Sequence, residues 1–236
     1  MSIELVPRAQ SRDVSGFGVF SHGDAGEAHV TAHRMLDEGR HELGHRLLGA
    51  WLECHDGSGS DWTHLQWHMA VFEIALGQWD AALARFERQI MPVAVSSDDA
   101  LTDAPAMLWR LSLSAPREVD LPWEPLRSRG VRNLDKRHGP YVELHCLVAL
   151  AGARDLETLD EWLRIKRHYK DERTKLLARL VTGLRAFAAS DYALAASVLD
   201  GVAARISELG GSHAQNLLFG EIATHCWQRT HSRIAA

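Results

Sequence analysis

Residues 27–52 read EAHVTAHRMLDEGRHELGHRLLGAWL and residues 64–90 read HLQWHMAVFEIALGQWDAALARFERQI, and the two stretches superimpose by their turns. In each, a helical run ends near a glycine (Gly39, Gly77), a ring follows two residues later (His41, Trp79), and a small residue stands three further on (Gly44, Ala82). Glycine ends a helix by adopting the left-handed conformation, and a small side chain at a fixed offset lets the next helix pack closely. Two tandem helical hairpins follow from this pattern. Ahead of each turn, at nearly the same place, stand His29/His33 and His64/His68. Residues four apart lie on one helix face, one turn above each other.

Working outward, the turn chemistry resembles that of the tetratricopeptide repeat, whose period is about 34 residues. The first hairpin is predicted over 25–53 and is followed by CHDGSGSD (54–61), in which Asp61 is the predicted N-cap of the next helix. The second covers about 62–91, with Pro92 as its stop. A third runs through ALTDAPAMLWRLSLSA (100–115) to a shorter helix from Trp123. A fourth begins near Pro140 and continues through LETLDEWLRIKRH. The fifth, 175–206, repeats the turn with Ser190, Asp191, Tyr192 and Ala195, and a last helix follows GGSHAQ to about Trp227. The predicted fold is an all-α, tetratricopeptide-like right-handed superhelix of about five hairpins plus a closing helix. It forms one domain over 23–230, with an irregular segment at 1–22 and a tail at 231–236. Such units cannot bury their apolar faces alone, so neighbours stack and share a core.

A chain of 236 residues, 46% apolar, is long enough to build that core. A net charge of −5 argues against a nucleic-acid backbone binder. No apolar run approaches the ~18 residues of a membrane span, and the first residues lack a signal-peptide core. Three widely spaced cysteines (Cys54, Cys146, Cys226) with no CxxC suggest reduced, buried thiols and a cytoplasmic setting.

Fourteen histidines without a polyhistidine tract carry information by position. On the inner helices of four consecutive units stand His29, His33, His64, His68, Asp103, Arg110 and His145. Taken singly, each histidine is more readily read as a stacking residue bonded to a neighbouring backbone. Together they suit three chemistries. They can ligate a transition metal, with Asp103 as ligand or as tautomer-fixing partner. They can act as general acid and base near neutral pH, or bind an anion with Arg110 supplying a fork of donors. Trp67 and Trp109 lie near this stripe and can flank a ligand, although tryptophans at such positions more often pack. Cys146 adjoins His145 but points about 100° away, and is read as core.

Residues 41–45 spell HELGH, an HExxH string of the kind that places two histidines on zinc and a glutamate beside the bound water. Against it, the string coincides with the repeat turn, Leu48 and Trp51 stand where an extended motif needs Gly and His, and its helix is predicted to be the outer one, away from the groove.

The pieces AHVTAHRMLDEGR (28–40), HLQWHMAVFEIALGQWDAALARFERQIMP (64–92), LTDAPAMLWRLSL (101–113), VELHCLVALAGARD (142–155) and LGGSHAQNLLF (209–219) resemble, in the same order, the C-terminal half of the tetratricopeptide repeat protein 38 family, over roughly 25–220. The resemblance implies an α-helical repeat fold. It also implies family positions at His29, His33, His64, Trp67, His68, Asp103, Arg110, His145, Gly211, Ser212 and Gln215, and it carries no assigned reaction. The chain departs from the family in lacking the N-terminal half, in Asn216 and Leu217 replacing a charged pair, and in Glu143 standing where an aspartate is expected. A free first-hairpin face makes a homodimer the expected assembly.

The resulting expectation is a histidine-lined concave pocket that takes a small polar ligand or one divalent transition metal ion. His29, His33, His64, His68 and His145 would be ligands or proton-transfer groups, with the first four as the metal set. Asp103, Arg110, Trp67, Ser212 and Gln215 would bind the ligand, the GGS turn offering free backbone N–H groups. The alternatives are a peptide-binding scaffold whose groove holds a partner segment, and the HELGH zinc peptidase.

Overall fold

The computed structural model describes residues 24–136 and 138–234. Among them are twelve α-helices and no strand: α1 (Ala25–Asp37), α2 (His41–Cys54), α3 (Gly59–Ala75), α4 (Trp79–Arg85), α5 (Met91–Ser96), α6 (Asp103–Ser114), α7 (Trp123–Leu134), α8 (Pro140–Gly152), α9 (Leu156–Lys166), α10 (Glu172–Ala188), α11 (Tyr192–Asp200) and α12 (His213–Ile234). The predicted irregular segment 1–22 lies outside the described residues.

One turn is used four times. After α1, Gly39 takes φ +65°, its N–H bonds Leu36 O, and the Arg40 N–H reaches back to Met35 O at 2.8 Å. This double bond is the Schellman closure. It recurs at Gly77 (Gly77 N–H to Ile74 O, Gln78 N–H to Glu73 O), at Arg154 (to Ala151 O, with Asp155 N–H to Leu150 O) and at Ser190 (to Phe187 O, with Asp191 N–H to Ala186 O). Arg154 and Ser190 hold φ +59° and +64° without being glycine. The Arg154 guanidinium donates to Ser190 Oγ at 2.9 Å, so these two turns touch. The small residue after the turn is explained by contact. A Cβ on Gly44 would meet the Phe72 ring at 2.3 Å and Met35 Cβ at 2.9 Å, so α2 sits directly against α3 there.

Several sequence expectations are corrected. Asp61 is not a cap: α3 begins at Gly59 behind Ser58, and Asp61 occupies its first turn, where a carboxylate favours the helix dipole. Pro92 does not stop the second hairpin. Residues Phe86–Ile90 widen into a π-turn, in which the Met91 N–H bonds Phe86 O, and Pro92 falls in the first turn of α5, where no N–H is needed. The fifth hairpin starts at Glu172, with Asp171 accepting the Thr174 N–H at 2.8 Å. Its second helix ends at Asp200 and gives way to a 3-10 segment, Ala203–Leu209. The last helix continues past Trp227 to Ile234.

The core is a chain of three apolar clusters: α1–α3 around Phe72 and Trp51, α3–α7 around Trp67 and Phe86, and α6–α12 around Leu147 and Leu180. In a simple solenoid each unit meets only its neighbours. Here α12 returns to pack on α6 and α1, and its Ala214 is buried in the first cluster. Arg110 on α6 ties it down, donating to Ala214 O at 2.8 Å and pairing with Glu221 at 3.1 Å.

Candidate metal centre

His29 and His33 on α1 face His64 and His68 on α3, because α1 packs on α3 with the two i,i+4 faces opposed. One ring nitrogen from each of the four lies within 4.8 Å of all the others. Ring centroids are 4.6 Å apart for His29–His33, 4.9 Å for His29–His64, 4.4 Å for His33–His68 and 4.6 Å for His64–His68. The Nε2 atoms of His29 and His33 approach to 2.9 Å. For comparison, donors on a tetrahedral ion with bonds of about 2.0–2.1 Å stand ~3.4 Å apart.

Each ring has a distinct setting. His64 Nδ1 is 2.8 Å from Asp103 Oδ2, so Nδ1 carries the proton and, in the neutral ring, Nε2 holds the lone pair. A carboxylate behind an imidazole is the usual outer support of a metal ligand. Burial is the largest single influence on His64 and works against its charge, but the hydrogen bond and charge of Asp103, helped by Asp61, leave its pKa raised. His29 and His33 are held below the ordinary value, first by burial and then by the charge of His64. His68 is pushed well below it, by burial first and then by His64, His33, His29 and Arg110. It is fully buried, and neither of its ring nitrogens has a hydrogen-bond partner among the described residues.

Trp67 forms the back wall. It stacks on His64 at 5.5 Å with an interplanar angle of 5°, meets His68 edge-on at 5.0 Å, and receives the Arg110 guanidinium 5.4 Å from its ring centre. On the outer side His29 and His64 open into a polar cavity of about 330 Å³, lined also by Asp61, Asp99, Thr102, Asp103 and Gln215.

The other sequence candidates lie elsewhere or are otherwise engaged. His145 on α8 is not gathered with the four. It is fully buried, bonds Tyr141 O through Nδ1 at 2.9 Å, and burial lowers its pKa to about 4. Trp109 donates to Val148 O inside the core. Ser212 and Gln215 form a reciprocal cap of α12: the Ser212 N–H donates to Gln215 Oε1 at 2.9 Å and the Gln215 N–H to Ser212 Oγ at 3.2 Å. That turn is therefore occupied by its own side chains rather than open to an anion. Glu143 bonds Trp162 Nε1 and Lys166. Cys146 is core, its thiol pushed up to about 12 by burial.

HELGH opens α2. Gly44 is the contact residue described above, and among the described residues the four-histidine set is the group that could hold a metal; His41 and His45 gain no third ligand. His41 nevertheless reaches the edge of a second, apolar groove of about 680 Å³, walled by Val71, Ile74, Leu113 and Leu217, so this helix start is not wholly outside. Two residues of this region were not anticipated: Asp99, which lines the polar cavity, and Tyr141, whose buried hydroxyl has no hydrogen-bond partner among the described residues. No local pattern marks either.

Scanned against protein-family models the chain matches none, and no solved structure matches it.

Proposed function

We propose that this protein binds one divalent transition metal ion through His29, His33, His64 and His68. The observation that carries the reading is His68: a fully buried imidazole with no hydrogen-bond partner for either nitrogen among the described residues, facing three other rings. A buried polar group left unpaired costs roughly 1–3 kcal/mol, and an ion at the centre of the set would remove that cost for the nitrogen whose lone pair it takes. Four imidazoles suit zinc, copper, nickel or iron better than magnesium or calcium, which prefer oxygen. Three of the four are already biased toward the neutral form that ligates, and Asp103 fixes the tautomer of the fourth.

Such an ion would supply Lewis acidity, and an activated water at a coordination position beyond the four imidazoles. The chain would contribute orientation through Asp103, a dry wall through Trp67, and access through the polar cavity. A metal-assisted hydrolysis of a small polar substrate is the reaction class that fits. In this reading His145 supports the fold, and Arg110 anchors α12. The rest of the proposal is a tetratricopeptide-like superhelix related to the protein 38 family, cytoplasmic and dimeric. The four repeated turns support its helical-repeat part.

A second reading rests on the apolar groove between α3, α6 and α12: a scaffold in which that groove, rather than the histidines, takes a partner segment. Metal content by mass spectrometry on untagged protein prepared without chelator separates the two. Near one equivalent, lost in His64→Ala/His68→Ala and kept in His41→Ala/His45→Ala, supports the histidine centre. Loss only in the latter pair would move the assignment to HELGH, and metal-free wild-type protein that stays metal-free on titration would leave the scaffold reading.

A further inference from the structure

We infer that the polar cavity beside His29 and His64 is the loading route of the metal centre, with Asp61 and Asp99 as an electrostatic funnel for the incoming divalent cation. This rests on the four-histidine reading and adds to it a path and two residues that act on the ion before it is bound.

Three observations carry it. First, the centre is closed from behind. His68 is fully buried, Trp67 covers His64 and His68, and the 680 Å³ groove on the α12 side is lined by none of the four histidines. Second, the cavity of about 330 Å³ is lined by both His29 and His64, so an ion within it meets two ligands at once. Six waters at ~30 Å³ each come to ~180 Å³, so a hydrated ion fits. Third, the walls bear three carboxylates, Asp61, Asp99 and Asp103, and no lysine or arginine. Asp103 is committed to His64. Asp99 is bonded only within its own turn, to Ser97. Asp61 is exposed in the first turn of α3 and takes only a long 3.5 Å bond from Ser60. Neither has a basic partner within ion-pair distance among the described residues. A cleft lined by one sign of charge concentrates the opposite ion and raises its association rate by 10–10³-fold, an effect that salt screens.

The two carboxylates are outside the ligand set, so they should change how fast the ion arrives far more than how long it stays. The competing entrance is on the His33 side, where Asp37 is the nearby charge. The experiment is stopped-flow cobalt(II) uptake, followed by its absorption bands, on wild type, Asp61→Asn/Asp99→Asn, Asp37→Asn, and a charge-matched control, Glu87→Gln/Glu157→Gln, whose residues are exposed and remote. The inference expects Asp61→Asn/Asp99→Asn to slow association roughly tenfold at low salt, to flatten its dependence on ionic strength, and to leave dissociation within about twofold. The control and Asp37→Asn should match wild type. An unchanged association rate in Asp61→Asn/Asp99→Asn, or slowing by Asp37→Asn instead, overturns the route while leaving the metal centre intact. Wild-type protein that takes up neither cobalt nor zinc overturns the centre itself.

Discussion

Replacing His68 by leucine should do two opposite things. The His68 ring is fully buried, neutral at pH 7 because burial and three neighbouring rings hold its pKa low, and unpartnered at both nitrogens. With no metal bound, the native state therefore carries one N–H and one lone pair unmade. At roughly 1–3 kcal/mol for each unsatisfied group, and less where relaxation helps, the ring costs the metal-free fold about 2–4 kcal/mol. Leucine fills a similar volume without those groups, and imperfect fit gives back about 1 kcal/mol. Metal-free His68→Leu should be more stable than metal-free wild type by about 1–3 kcal/mol. Near 2–4 °C per kcal/mol for a chain of this size, the melting temperature should rise by about 2–12 °C. With zinc the order should reverse. Wild type gains about 2.7 kcal/mol at a hundredfold excess over Kd, and the variant, short of a ligand, gains little. Thermal melts in chelator and in excess zinc read both effects. A leucine variant that loses 2 kcal/mol in chelator and still responds to zinc like wild type would show that His68 is an ordinary satisfied core residue, and the argument for the centre would fall with it.

Other perturbations probe the supports. Asp103→Asn should free the His64 tautomer, weaken metal binding 10–100-fold and lower the His64 pKa, with titration calorimetry and imidazole NMR as the readouts. His145 binds its proton at about 4 when folded and near 6.5 when unfolded. The unfolded state therefore binds more protons below pH 6.5, and stability should fall by about 3 kcal/mol as the pH drops from 6.5 through 4, at 1.36 kcal/mol per unit over 2.5 units. Urea unfolding of wild type and His145→Phe at pH 7.5 and 4.5 should show the acid loss shrinking in the variant. Gly77→Ala meets no atom within 4 Å and should cost only the left-handed backbone penalty, about 1–2 kcal/mol. Gly44→Ala carries no left-handed penalty but must push the Phe72 ring away, and should cost about 1–3 kcal/mol from overpacking, both by denaturant midpoint.

Much of this site was readable because its signal is local. Two i,i+4 histidine pairs, each ahead of a glycine that ends its helix, lie on faces that can meet once the helices stack, and the structure brings all four rings together. The turns at Gly39 and Gly77 were visible in the same way, whereas the turn at Arg154 was not, since nothing in its residue type announces a positive φ. Pro92 misled because a proline ordinarily ends a helix, and only the π-turn before it, a backbone adjustment without a sequence mark, lets the helix resume. His145 misled for a deeper reason: sharing an inner helix face fixes direction but not distance, and α8 lies one unit too far along the stack. Ser212 and Gln215 were read as donors to a ligand when their spacing is equally that of a cap, and the cap is local and always available. The return of α12 to α1 depends on contacts more than a hundred residues apart, which no periodicity encodes.

That return changes how the molecule comes apart. An open array of hairpins can fray from either end, each unit melting with little regard for distant ones. The bond from Arg110 to Ala214 spans 104 positions, and Ala214 completes the packing of the first cluster. Opening the last helix thus uncovers the first, and the amide protons of α1 and α12 should exchange with solvent as one unit despite lying at opposite ends of the described chain. Closure of this kind also postpones part of the reward of folding until a long loop has been drawn in, a step that local helical stacks avoid and that slows them when present.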